Sequence, residues 1–199
     1  MTLMAEMTWY EFDERKEKDV VILPVGSVEQ HGPHLPLFTD TIISEGFAKL
    51  LGERVNGIVM PAINYGYKSQ PASGGGPLFP GTIDLNGKTL ISLVMDILEE
   101  LIRDGVKKIA IVNSHFENQA FLLEAIDLVS KKMPTGTKII MMSWWDLISQ
   151  PTIDKVFDEV EFPGWALEHA AITETSLILK FAPNLVHMDR LIDEKIEEV

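Results

Sequence analysis

The run "VVILPVG", Val20 to Gly26, passes without interruption into "SVEQHGPHLPLFTD", Ser27 to Asp40. The first part is continuously apolar, as a strand must be when both faces of its sheet are covered. The second part sets Glu29, His31, His34 and Asp40 among prolines, and neither a helix nor a sheet core needs such groups. The same transition recurs downstream. "GIVMPAI", from Gly57, reads as another buried strand; "KKIAIVNS", Lys107 to Ser114, is a third that empties into "HFEN"; "TKIIMMSWW", Thr137 to Trp145, is a fourth. Helical spacing fills the intervals. Ile42, Ile43, Phe47, Leu50 and Leu51 mark a helix ending near Gly57, followed by Lys88 to Asp104, "NQAFLLEAIDLVSKKM", and a last amphipathic helix in "HAAITETSLILKFA", His169 to Ala182. Alternating strands and helices imply right-handed crossovers, hence an α/β fold of three layers: a mainly parallel sheet with helices on both faces. Ligands in such sheets bind beyond the carboxyl ends of the strands. The stretch from Asn64 to Thr82, "NYGYKSQPASGGGPLFPGT", is a long Gly/Pro-rich loop of the kind usually reserved for function.

The totals narrow the classes. A chain of 199 residues suits one domain, 1–199, with room for a sizeable core. Its net charge of −13, with no basic stripe, disfavours nucleic acid as a partner. The absence of cysteine excludes a disulfide framework, thiolate zinc and a cysteine nucleophile, so any metal must be held by nitrogen and oxygen. No apolar run is long enough to span a membrane, and the N-terminal stretch has no signal-peptide pattern; a cytoplasmic setting is the expectation.

Glu29 and His31 are two residues apart, as are His115 and Glu117 in "NSHFEN". In extended chain that spacing turns both side chains of a pair to one side. With Asp40 the pairs supply imidazoles and carboxylates, a donor set suited to zinc, manganese, iron or cobalt. Two divalent ions would balance the three carboxylates and one bridging hydroxide; without metal, the carboxylates would repel one another. Taken singly, either pair is an ordinary surface feature, and Asp40 also suits a helix N-cap. Two pairs at corresponding strand ends favour a metal site.

"GSVEQHGPHLPLFTD", "INYGYKSQPASGGGPLFPGT", "NSHFEN" and "GWALEHAAITETS" resemble, in order and spacing, the creatininase (creatinine amidohydrolase) family, across nearly the whole chain. The resemblance implies two zinc or manganese ions per chain. One would lie on Glu29, Asp40 and His115, the other on His31, Asp40 and Glu117, with Asp40 bridging and a bridging hydroxide as nucleophile. It makes His169 the acid or base serving the leaving nitrogen, beside Glu168. It makes Trp165 a lid over a substrate ring and Trp145 its wall, with Ser73 and Phe116 also against the substrate. The implied reaction is hydrolysis of a small cyclic amide, creatinine to creatine, by a homo-oligomer, hexameric by resemblance. The alternatives are another cyclic amide, formamide or lactone as substrate, or a metal-binding protein without turnover.

Two pocket positions depart from the family pattern. Phe116 stands where creatininase has tyrosine, and Ala166 follows Trp165 in place of an aspartate; both changes remove polar groups. "LIDEKIEEV" ends where the family continues into a further segment. His34 is expected to support the ligands rather than bind metal, and Glu174 to orient His169, to cap the pocket or to be an exposed helical carboxylate. Trp144 suits the core, His187 has no partner in sequence, and Gly74 to Gly76 lack the ending of a phosphate loop.

Overall fold

In the computed structural model, which describes residues 1–191, the expected α/β architecture is present. Five parallel strands, β1 (Thr2–Leu3), β2 (Val20–Val25), β3 (Ile58–Val59), β4 (Lys108–Asn113) and β5 (Lys138–Ser143), lie in the order β1-β3-β2-β4-β5. The sheet is therefore wholly parallel, with β2 and β4 paired from Val20↔Lys108 to Val25↔Asn113. Six α-helices are described: α1 (Trp9–Arg15), α2 (Thr39–Val55), α3 (Gly87–Arg103), α4 (Gln119–Ser130), α5 (Gln150–Val156) and α6 (Ile172–Phe181).

Alternation along the strands sorts the core into two layers. Val21, Leu23, Val25, Ile109 and Ile111 face one way and pack on Leu90, Val94 and Leu98 of α3 and on Leu122, Ala125 and Val129 of α4. Ile22, Ala110 and Val112 face the other way, against Ala48 and Phe47 of α2, and Ile43 packs there with Ile178 of α6. The repeat Leu90, Val94, Leu98, Leu101 is a single buried stripe on α3, each side chain contributing about 1.5–3 kcal/mol of burial.

The route through the sheet places the site. From β2 the chain passes through α2 to β3 on one side; from β3 it crosses through α3 to β4 on the other side of β2, and continues outward through α4 to β5. Keeping both crossovers right-handed puts α2 and α3 on opposite faces. Neighbouring strands β2 and β4 thus send their chains away in opposite directions, which opens a crevice at their carboxyl ends. The segments following these two strands are the ones that carry Glu29, His31, His115 and Glu117.

Local details differ from the sequence reading. "GIVMPAI" contributes only Ile58–Val59 to the ladder, because Pro61 has no N–H; pairing resumes as a single bridge between Val25 and Ile63. The N-terminal stretch, to which periodicity assigns nothing, forms the edge strand β1 and then α1, whose Thr8 and Glu11 make a capping box. Helix α6 begins at Ile172, not at His169: Ala170 takes a left-handed φ of 53° that interrupts the helix. Asp40 does not cap α2 but lies in its first turn, and no side chain caps that helix.

Candidate metal centre and active-site cleft

Every group in the opening motif that could bind metal is buried: Glu29, His31, His34 and Asp40 are at most 3% exposed, and His115 is 2% exposed. Strand β2 delivers Glu29 and His31, the first turn of α2 delivers Asp40, and β4 delivers His115. The Nδ1 of His115 lies 2.8 Å from Glu29 Oε1 and 3.1 Å from Asp40 Oδ2. The Nε2 of His31 lies 3.2 Å from Asp40 Oδ1 and 3.6 Å from Glu174 Oε2. Asp40 thus stands between two imidazoles.

Backbone carbonyls fix which nitrogen of each ring faces the carboxylates. His115 Nε2 is 2.9 Å from Tyr67 O, and His31 Nδ1 is 3.2 Å from Glu29 O. A carbonyl only accepts, so each of these nitrogens carries hydrogen and donates, which leaves the opposite nitrogen free to ligate. Donor atoms of Glu29, Asp40 and His115 lie within 4.8 Å of one another, as do those of His31, Asp40 and Glu174. A third group, Glu29, His31 and His169, meets the same distance.

The residues fit metal on a second count. Glu29 Oε2 is buried without a hydrogen-bond partner, an expensive arrangement unless something else binds it. The protons respond to the same crowding. Burial works against a charged imidazole at His31, but Asp40 and Glu174 outweigh it and push its pKa up to about 10. His115 is likewise raised well above its ordinary value against the penalty of burial, by Asp40 and Glu29. Asp40, despite burial, is held below the usual carboxylate range by His31 and His115. Glu174 goes the other way, raised to about 8 by burial, with Asp40 and Glu29 adding to the effect.

Over this cluster lies a cleft lined by carboxylates, imidazoles and tryptophans. Ser73, Phe116, Glu117, Trp145, Trp165, Glu168 and His169, the residues expected around a substrate, all line it. Trp144 packs edge-on to both Trp145 and Trp165, at 5.5 and 5.4 Å between ring centres. Glu117 does not join the His31–Asp40 group. Its carboxylate is hydrogen-bonded to Ser73 Oγ and lies 3.4 Å from His115 Nε2, while Glu174 occupies the place beside His31. Glu168 turns an oxygen to the backbone N and hydroxyl of Thr173, steadying the start of α6. Gly75 approaches so closely that a Cβ there would meet Ser69 Oγ at 1.9 Å and Glu29 Oε2 at 2.9 Å, so the glycine-rich loop is packed on the ligands.

His169 Nε2 lies 2.8 Å from the carbonyl of Gln30 and 3.2 Å from its side-chain amide, and its ring sits 4.4 Å from that of His31. Burial and the charge of His31 lower its pKa, which keeps the ring neutral and able to take a proton. Gln30 is a residue the sequence reading missed, and its amide also reaches Gly74 O at 2.7 Å. No local pattern marks it, since an intervening residue in extended chain points away from the pair that flanks it.

The sequence matches the Creatininase family, described as creatinine amidohydrolase, over residues 5–199. The chain belongs to the creatininase family. Its relatives include creatinine amidohydrolase of Pseudomonas putida, 39% identical over 96% of this chain and 75% of that protein. The mycofactocin precursor peptide peptidase of Mycolicibacterium smegmatis is 31% identical over 87% of the chain and 62% of its own length. A solved creatininase structure superposes with a TM-score of 0.93 at 38% identity, covering 97% of this chain and 77% of that one. Creatininase structures occur as a manganese form and as a Zn-Zn form, in accord with the nitrogen and oxygen donors gathered in this creatininase-family hydrolase. Among its described residues, no helix is long and apolar enough to cross a membrane.

Proposed function

We propose that the chain hydrolyses the amide bond of a small cyclic substrate, creatinine to creatine, at a centre for two zinc or manganese ions. The observation that carries this reading is the position of Asp40, shared by two groups of buried donors beneath an aromatic-walled cleft. Glu29, Asp40 and His115 would hold one ion; His31, Asp40 and a further carboxylate would hold the other, with Glu174 in place for it and Glu117 nearby at the cleft. Bound there, the ions would supply Lewis acidity toward the substrate carbonyl and a water acidified enough to attack it.

The chain's own residues do the remainder. Trp145 and Trp165 offer flat faces to a planar heterocycle and exclude water from it. His169, tied through Nε2 to Gln30, presents its other nitrogen for the proton that the departing nitrogen requires. Ser73 and Glu117 place a hydroxyl and a carboxylate at the rim, where a ring nitrogen would be hydrogen-bonded. The reading includes a homo-oligomer, hexameric by the family resemblance, and a cytoplasmic setting.

A second substrate is favoured by one specific observation. Phe116, 41% exposed, and Ala166 both face the cleft and bring no polar group to it, so a substrate needing fewer hydrogen bonds than creatinine fits as well. A site that hydrogen-bonds its substrate discriminates strongly through those bonds. The deciding experiment is creatinine hydrolysis by zinc- and manganese-loaded protein, run beside other cyclic amides and lactones. Turnover of creatinine above the panel supports the first reading; turnover confined to another ring supports the second. Bound metal with no turnover of any substrate would overturn both.

A further inference from the structure

Asn118 opens α4, a position where an asparagine side chain ordinarily caps its own helix. Here it makes no such bond. Fully buried, it turns back toward the strand ends and joins three other segments. Its Nδ2 donates to the carbonyl of Gly26 at 3.1 Å, just past β2, and to Oδ1 of Asn113, the last residue of β4, at 3.3 Å. Its Oδ1 accepts the backbone N–H of Tyr67 at 2.7 Å. Asn113 in turn secures the backbone of His115, accepting its N–H at 3.3 Å and donating to its carbonyl at 2.8 Å. The rotation of the His115 ring is left to another partner, the carbonyl of Tyr67, 2.9 Å from Nε2.

In extended chain a residue's N–H and C=O turn to the same edge, so one edge of the Tyr67 segment faces Asn118 and His115 together. The opposite edge is held by Leu85, whose N–H bonds Gly66 O at 2.8 Å, and the Tyr67 ring rests on Phe121 at 3.9 Å between centres. Those contacts fix where the loop lies; the bond to Asn118 acts on the edge that meets the imidazole. Gly66 permits this approach, since a Cβ there would meet Asn118 Oδ1 at 2.8 Å, Gly26 O at 2.9 Å and His115 Cδ2 at 3.1 Å.

We propose that Asn118 is a positioning residue for His115: by holding Tyr67 it aims that residue's carbonyl at His115 Nε2, and so sets how tightly Glu29, Asp40 and His115 hold their ion. The inference rests on the metal-centre reading above, and only on the half that contains His115. Partners that orient a metal-binding imidazole typically govern affinity by about 10–100-fold; Asn118 acts one bond further out, so the low end applies.

The test uses two variants that disturb the contact by different routes. Asn118→Ala removes the grip on Tyr67, and Gly66→Ala keeps Asn118 but pushes the loop away. Val129→Ala, buried at the far end of α4, controls for lost stability. Zinc affinities are read by competition with a chromophoric chelator, and the melting temperature of each variant is recorded. The His115 Nε2–H is followed by proton–nitrogen NMR of histidine-labelled, zinc-loaded protein, assigned by its absence in His115→Ala. Asn118→Ala and Gly66→Ala should each weaken, by about tenfold, the equivalent that His115→Ala abolishes, and the Nε2–H should exchange faster with solvent. Added to His115→Ala, Asn118→Ala should alter the remaining equivalent by no more than about twofold. Val129→Ala should lower the melting temperature with both affinities unchanged. Unchanged affinity in Asn118→Ala overturns the proposal. So does a loss shared equally by both equivalents or reproduced by Val129→Ala, which marks a general structural role. If Asn118→Ala does not fold, Gly66→Ala decides through the same two readouts. A parent protein that binds no zinc refutes the metal reading itself, a result distinguishable from all of these.

Discussion

Glu29, Asp40 and His115 reach one another from the ends of adjacent strands β2 and β4 and from the first turn of the helix that follows β2, with His115 at 2.8 and 3.1 Å from the two carboxylates. His31, Asp40 and Glu174 are held differently. Their distances are 3.2 and 3.6 Å, and Glu174 arrives on α6, which belongs to no strand pair and packs on α2 through Ile178 and Ile43. One half inherits its geometry from the sheet, whose register is fixed by a six-residue ladder; the other depends on a helix held by side-chain contacts. Ligands on paired strands are placed by the fold, whereas ligands on a docked helix need dedicated fastening.

Substitution of the shared residue removes the contrast altogether. Asp40→Asn should release both metal equivalents and lower turnover on the order of 10³-fold or more, checked by elemental analysis and a substrate assay; retention of two equivalents would contradict the shared role. Next in size, His115→Ala and Glu174→Gln separate the halves. The former should abolish one equivalent, while the latter should leave both sites but weaken one about 10–100-fold, measured by chelator competition. Identical losses in the two variants would erase the distinction.

Proton linkage sharpens it further. His31 is raised from 6.5 to about 10, His115 well above 6.5, and Glu174 from 4.5 to about 8, so all three bind protons more tightly in the folded chain than in the unfolded one. The histidine contribution to stability is fully present below pH 6.5 and is lost as pH rises toward 10. Glu174 acts in the same direction between 4.5 and about 8. The melting temperature of metal-free protein should therefore fall as pH rises across this range. Metal-loaded protein should show little of that slope, because the ions displace the protons. A flat or rising profile in the metal-free protein would count against the buried imidazolium–carboxylate pairs. The smallest effect concerns the substrate: Phe116→Tyr should raise kcat/KM for creatinine by about 3–10-fold, the value of one hydrogen bond, with metal content unchanged. No change in kcat/KM would mean that the hydroxyl has no partner there.

The strand-borne half was legible in the sequence because apolar runs and two-residue spacing are local signals. Val20 to Gly26 and Lys107 to Ser114 announce buried strands, and the residues just past them have few structural reasons to be His and Glu. Glu174 was legible only as a candidate neighbour of His169, not as a partner of His31. In "ITETSLILKF" it resembles any exposed helical carboxylate, and its burial follows from the docking of α6, to which no local pattern speaks. The placement of His169 outside the helix escaped for a different reason: the Glu174 carboxylate takes the Ala170 N–H four residues before it, a local side-chain bond that competes with extending the helix backwards. The edge strand β1 was hidden by its length of two residues.

The spread of the proposed ligands along the chain, from Glu29 onward, also gives their assembly a direction in time. A ribosome releases Glu29 and Asp40 early, and β4 then brings His115 onto a strand already made, so the first half is complete while α6 is still untranslated. On the proposed ligand set, metal loading would have a built-in sequence: a nascent chain would offer a place to one ion first, and to the second only after the later ligands have been made.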